Sequence, residues 1–161
     1  MDGSLLDEVA AAALALVTPA AGARVLDVEA GLGALTLLLA RHAGHVDALD
    51  GSKAIVSALR ARVAVAKLKN VDARVADAAA LPFPERTFDA GYFLSVVAAA
   101  SRAAALVELR RVLKPGAPAV VAAASAAERD ELLEDLVVAG FDEILAHAID
   151  RSSAWLVAAV A

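Results

Sequence analysis

Cysteine is absent from this sequence of 161 residues, and aromatic residues make up only 4% of it. Without a thiol, the chain can form no disulfide, no thiolate nucleophile and no thiolate metal site. The three histidines, His42, His45 and His147, are scattered and lack the spacings typical of zinc sites. We therefore expect no metal site, and the chemistry must come from carboxylates, the backbone or a cofactor.

Long hydrophobic runs and an excess of positive charge are also missing. Although 60% of the residues are hydrophobic, about 44 of them are alanine, and no uncharged apolar run approaches the roughly 18 residues of a membrane span. The opening MDGSLLDEVA is acidic where a secretory signal is basic, which predicts a cytoplasmic protein that spans no membrane. A net charge of −5 argues against nucleic acid as a partner.

The order of the apolar segments predicts an α/β fold. The length fits one domain, residues 1–161. The predicted strands are residues 24–28, 45–49, 71–76, 88–94, 118–124, 142–149 and 154–160, and the predicted helices are residues 4–17, 34–42, 52–68, 102–113 and 126–139. This alternation predicts a doubly wound, seven-stranded sheet with helices on both faces, in which five parallel strands are followed by an antiparallel hairpin.

Polar residues and glycines follow the first three predicted strands, where ligands bind in doubly wound sheets. Gly31 and Gly33 let the backbone approach a ligand closely. Asp50 stands about 20 residues beyond the first strand, where a carboxylate can accept ribose hydroxyls, or it caps the following turn. Asp77 either accepts from an adenine amino group or is a solvated turn residue. Together the three loops favour a nucleoside site.

Four segments carry a resemblance to a known family: VLDVEAGLGALTLLLA, VDALDGSKAIVSALRARVA, VADAAALPFPERTFDAGYF and ELRRVLKPGAPAVV. In order and spacing they resemble the class I S-adenosylmethionine-dependent methyltransferases, particularly the small-molecule type similar to the ubiquinone/menaquinone-biosynthesis C-methyltransferases. The resemblance covers roughly residues 22–125. It implies a Rossmann-like fold, S-adenosylmethionine as cofactor, and methyl transfer to a small-molecule acceptor.

The resemblance also implies roles for individual residues. Gly31 and Gly33 would pack against the methionine part of the cofactor, and Asp27 would help to orient its ammonium group. Asp50 would hold the ribose hydroxyls. Asp77 would meet the adenine amino group, and the Ala78 backbone would lie near the adenine ring. Leu94 and Ser95 would lie near the methyl-transfer centre.

The sequence departs from the family at its glycine-rich turn, which makes that motif degenerate. Glu29 occupies the first of three positions that are usually glycine, where a side chain can obstruct the cofactor and a carboxylate can repel the cofactor's own carboxylate. We expect Glu29 to weaken cofactor binding. The alternative is that Glu29 turns outward or pairs with the cofactor's ammonium or sulfonium group.

Other departures leave alternative functions open. The segment SVVAAAS after the fourth strand supplies no general base, and no insertion is large enough for a substrate lid. One alternative is therefore a non-catalytic or engineered methyltransferase-fold protein with weak or no cofactor binding. A nicotinamide-dependent oxidoreductase is a third hypothesis, but Thr36 stands where the third small residue of its glycine motif belongs.

Overall fold

The computed structural model describes residues 3–94, 99–149 and 152–161, and these form a layered α/β structure. The strands are β1 (Arg24–Val28), β2 (His45–Asp50), β3 (Val71–Val75), β4 (Ala90–Phe93), β5 (Pro118–Ala123), β6 (Asp142–Ala148) and β7 (Trp155–Val160). The helices are α1 (Gly3–Leu16), α2 (Ala34–Leu39), α3 (Lys53–Val65), α4 (Ala99–Val112) and α5 (Ala126–Ala139). Within the described ranges, every helix is too short or too polar to cross a bilayer.

The seven strands form one sheet in the order β3-β2-β1-β4-β5-β7-β6. The pairs β2–β3, β1–β2, β1–β4 and β4–β5 are parallel, and β7 is antiparallel to both β5 and β6. The prediction of five parallel strands and an antiparallel hairpin is thus confirmed. The strand order reverses beside β1, which creates a crevice at the carboxyl ends of β1 and β4.

Alternate residues of each central strand bury opposite faces of the sheet. On β1, Val25 belongs to the core beneath α1 and α2, whereas Leu26 belongs to the core beneath α4 and α5. A smaller cluster joins α3 to β2 and β3 through Leu59 and Ala48. Because both faces are covered, β1, β2 and β4 are buried along nearly their whole length and not at alternate residues.

The ends of α3 and α5 carry capping interactions. The Ser52 hydroxyl accepts a hydrogen bond from the Ile55 amide at 3.4 Å and caps α3. Ser125 caps α5 through the Glu128 amide at 3.2 Å, and the Glu128 carboxylate returns to accept from the Ala124 amide at 2.8 Å. Gly140 ends α5 with φ of 88°, in the left-handed region.

We predict that Gly91→Ala destabilises the protein by about 1–3 kcal/mol because it overpacks the interface between β4 and α4. A Cβ atom on Gly91 would lie 2.7 Å from Leu109 Cδ1 and 3.2 Å from Leu113 Cδ2, and both leucines are fully buried. Urea denaturation measures the change in the free energy of unfolding.

The matched control is Gly22→Ala, since a Cβ on Gly22 meets no atom within 4 Å. We expect this control to change stability by less than about 1 kcal/mol. Equal unfolding free energies for the two variants would show that the β4–α4 interface can accommodate an added methyl group without strain.

Candidate functional site

A pocket of about 390 Å³ opens at the carboxyl end of β1, beside the reversal of strand order. We call it the switch-point pocket. Its walls come from α1, the turn after β1, the start of α2, one residue of α3 and the residue after β4. They are Leu6, Asp7, Val9, Ala10, Asp27, Glu29, Ala30, Gly31, Leu32, Ala34, Leu35, Arg62 and Leu94.

The turn between β1 and α2 forms one wall of this pocket through an unusual backbone path. Glu29, Gly31 and Gly33 have φ values of 55°, 56° and 84°, all in the left-handed region. At Gly33 the backbone also lies so close to α3 that a Cβ would overlap the Leu59 side chain. The left-handed φ and this close approach together require glycine at position 33.

Asp50 connects the turn after β1 to the turn after β2. Its carboxylate is 6% exposed; Oδ2 accepts a hydrogen bond from the Gly31 amide at 3.2 Å, and Oδ1 accepts one from the Ser52 amide at 2.9 Å. A carboxylate offers about four acceptor positions. Two of them therefore remain for a ligand.

Asp27 is a buried carboxyl group that lines the switch-point pocket. Burial raises its pKa from 3.8 to about 7, and a 2.6 Å hydrogen bond from the Thr36 hydroxyl opposes part of that rise. Tyr92 lies in the same layer: its hydroxyl donates to the Val17 carbonyl at 2.6 Å, and burial and the Asp27 charge raise its pKa. Asp27 is therefore poised to lose or gain a proton near neutral pH.

Glu29 combines a left-handed backbone with a carboxyl group in the pocket wall. Its pKa is raised, first by partial burial and then by the negative charges of Asp50 and Asp77. A left-handed backbone costs an ordinary L-residue about 1–2 kcal/mol. The glutamate therefore carries both a conformational cost and an electrostatic cost at this position.

Asp77 and Ala78 begin the loop that follows β3. Asp77 is exposed and its Oδ1 accepts from the Ala79 amide at 2.9 Å, as in the predicted turn. Ala78 is buried and packs in the same core as Leu81 and Phe83. Neither residue belongs to the set that lines the switch-point pocket.

The loop after β3 is held in place by α4 through hydrogen bonds to its backbone. The Glu108 carboxylate accepts from the Leu81 amide at 2.8 Å. Arg111 donates to the carbonyls of Phe83 at 2.8 Å and Leu81 at 3.1 Å, and it pairs with Glu108 at 2.7 Å. The hydrogen bond from Arg111 is the main reason that the pKa of Glu108 is lowered.

The structure brings together most of the residues that the sequence singled out. Asp27, Glu29, Gly31 and Leu94 line the pocket, and Asp50 is one hydrogen bond away. Gly33 is buried against α3, and Asp77 is near enough to Glu29 to raise its pKa. Ser95 lies outside the described residues.

Several lining residues were not identified from the sequence. α1 contributes Leu6, Asp7, Val9 and Ala10 to the pocket, a role that was not predicted for this helix. Arg62 also lines the pocket, and its guanidinium donates to the Leu32 carbonyl at 2.5 Å. No local motif marks such residues, because their place depends on how the helices pack.

A second polar cluster lies on β2 and β3, where His45, Asp47 and Asp72 place potential ligand atoms within 4.8 Å of one another. Asp47 is fully buried and already accepts hydrogen bonds from Arg24 at 2.8 Å and Arg74 at 2.9 Å. Two guanidinium groups thus balance the charge of Asp47. We interpret the cluster as an ion-pair network within the fold.

Comparisons with known proteins identify the family. The sequence profile of the family described as methyltransferase domain matches residues 25–116, more than half of the chain. A demethylmenaquinone methyltransferase of Clavibacter sepedonicus is 39% identical over an alignment of 112 residues, which covers 65% of this chain and 42% of that protein. The chain thus spans less than half the length of this curated relative.

Solved structures share the fold at low sequence identity. A S-adenosylmethionine-dependent methyltransferase from Aquifex aeolicus has a TM-score of 0.79 at 24% identity, covering 99% of this chain and 93% of that one. The cyclase SpnF has a TM-score of 0.85 at 20% identity, covering 96% of this chain and 80% of that one. Different reactions are thus named for proteins of this fold, and the fold alone does not choose between them.

The family profile and the curated relative confirm the resemblance noted in the sequence, and they do not favour the non-catalytic alternative. The cofactor prediction is confirmed with it. The protein belongs to the class I S-adenosylmethionine-dependent methyltransferases.

Proposed function

We propose that this chain, acting as a single domain over residues 1–161, transfers a methyl group from S-adenosylmethionine to a small-molecule acceptor. The observation that carries the proposal is the pair of backbone amides that fixes the buried Asp50 carboxylate at the edge of the switch-point pocket. A preorganised carboxylate with spare acceptor positions is suited to hold the two hydroxyls of a ribose.

The residues in and beside the pocket offer a group for each part of the cofactor. In this proposal Asp50 holds the ribose, while Gly31 and Gly33 form the turn along the methionine part. Asp27, buried and lining the pocket, accepts from the ammonium group directly or through water. On the nucleoside side, Asp77 accepts from the adenine amino group, and Ala78 offers its backbone beside the ring.

Bound S-adenosylmethionine supplies a methyl group on a sulfonium. An aligned nucleophile attacks the methyl carbon and displaces the sulfur directly. The protein's part is to hold the two reactants within reach and to exclude water. Leu6, Val9 and Ala10 of α1 and Leu94 after β4 form an apolar wall, which favours an acceptor with an apolar portion. We assign Leu94 to the side of the pocket where the methyl group is transferred.

Thr36 is the observation that disfavours a nicotinamide cofactor. Its side chain is fully buried, and its hydroxyl donates to Asp27 at 2.6 Å. A dinucleotide-binding turn uses a glycine or alanine at this position to let the helix pack closely. In this protein the Thr36 hydroxyl instead donates a hydrogen bond to the buried Asp27 carboxyl group.

We predict that Asp50→Ala weakens the binding of S-adenosylhomocysteine at least about a hundredfold, because each hydrogen bond to a charged group contributes about 1.5–3 kcal/mol. Isothermal titration calorimetry measures the affinity. Thermal unfolding of the same samples reports how far the lost bonds to Gly31 and Ser52 loosen the turns.

Two further variants separate binding from folding. Asp50→Asn keeps an acceptor oxygen and the side-chain size, and Asp142→Ala removes the same charge from an exposed position on β6. We expect Asn to fall between wild type and alanine, and the Asp142 variant to bind as wild type does. An Asp50→Ala protein that is folded and binds with unchanged affinity would refute the ribose assignment.

We also predict that the affinity for S-adenosylhomocysteine rises with pH and levels off above about pH 7. The pKa of Asp27 is raised to about 7, so below that pH the carboxyl group is neutral and must release its proton to pair with an ammonium group. The affinity therefore falls by at most about tenfold per pH unit below the pKa.

Calorimetry between about pH 5.5 and 8.5 tests this dependence. Asp27→Asn keeps an oxygen for the Thr36 hydroxyl and cannot ionise, so its affinity should be lower at high pH and nearly independent of pH. If wild type and Asp27→Asn show the same pH profile, Asp27 has no part in holding the ammonium group.

A further inference from the structure

Acidic side chains outnumber basic ones in the lining of the switch-point pocket. Asp7, Asp27 and Glu29 contribute carboxyl groups, and among the described lining residues Arg62 alone is basic. Asp50 and Asp77 add negative charge close to Glu29, as the raised pKa of the glutamate shows. The pocket therefore favours a ligand with positive charge.

Glu29 has no evident task in the fold. Within the described part of the chain, its carboxyl group has no hydrogen bond and no ion pair. Its backbone adopts φ of 55°, which costs free energy for any residue except glycine. A strained residue with an unpartnered carboxyl group in a pocket wall points to a role toward the ligand.

We propose that Glu29 is a specificity-determining residue that makes the pocket prefer the positively charged methyl donor over the neutral product. The inference rests on the proposed function. Methyl transfer breaks the bond between sulfur and the methyl carbon, and the electron pair stays on sulfur. The sulfonium thereby becomes a neutral thioether, while the amino and carboxylate charges of the ligand are unchanged.

A fixed carboxylate distinguishes these two ligands through the one charge that differs between them. In a partly buried site, a unit charge acts on another over about 10 Å with enough energy to change affinity about tenfold. Glu29 would thus bind the donor more tightly than the product, which helps the product to leave. The expected obstruction by Glu29 acts on both ligands, and attraction to the sulfonium offsets it for the donor alone.

The test compares three ligands by titration calorimetry at about pH 8: S-adenosylmethionine, S-adenosylhomocysteine and sinefungin, a stable analogue with a protonated amine in place of the sulfonium. The proteins are wild type, Glu29→Gln and Glu29→Gly. Glutamine removes only the charge, whereas glycine removes the charge and the backbone strain. A higher melting temperature of Glu29→Gly than of Glu29→Gln reports that strain separately.

We expect Glu29→Gln to weaken both cationic ligands and to leave the product unchanged or more tightly bound, so that the preference for the cations falls about tenfold. Glu29→Gly should lose the same preference. If the ratio of donor to product affinity is the same in all three proteins, the proposed role of Glu29 is wrong while the cofactor site stands. If no protein binds any of the ligands at millimolar concentration, the proposed function itself fails.

Discussion

The carboxylate of Asp50 accepts hydrogen bonds from the turns after two neighbouring strands, and the geometry of the pocket depends on this link. The link fixes Gly31 within a turn that contains three left-handed residues. At the other end of the same turn, the Leu59 side chain of α3 lies so close to Gly33 that there is no space for a side chain at position 33. A side chain of α3 and a carboxylate of β2 thus define the shape of a turn that belongs to β1.

The loop after β3 is restrained by charge in a similar way, but from the opposite face of the sheet. Arg111 and Glu108 hold its backbone at Leu81 and Phe83. Arg24 lies over the rings of Phe83 and Phe88, at 5.8 Å and 5.2 Å from the ring centroids. The loop that contains the residues proposed for adenine is therefore anchored by contacts within the fold, and such anchoring reduces the entropy lost on binding.

Local signals in the sequence were sufficient to predict the order of the strands and helices. The apolar run of β1, the Ser52 cap at the start of α3 and the Gly140 stop after α5 are short-range features of this kind. Asp50 follows from its position after β2. Residues that end strands in an alternating α/β pattern are brought together by topology alone.

What could not be predicted depends on contacts between distant segments. The wall formed by α1 and the entry of Arg62 into the pocket are set by helix packing, for which the sequence carries no motif. The raised pKa of Asp27 results from its deep burial, and an acidic residue in an apolar run does not reveal how completely it is enclosed. The left-handed backbone of Glu29 depends on the path of the whole turn, and it is a conformation that L-residues rarely adopt.

The position of β7 between β5 and β6 has a consequence for how the chain reaches its final structure during synthesis. Residues 142–148 leave the ribosome before the strand that they pair with, because β7 is their neighbour in the sheet. The edge strand must wait, unpaired, until a later segment has been inserted beside β5. The five parallel strands can assemble before β7 is inserted. The switch-point pocket can therefore form before the sheet is complete.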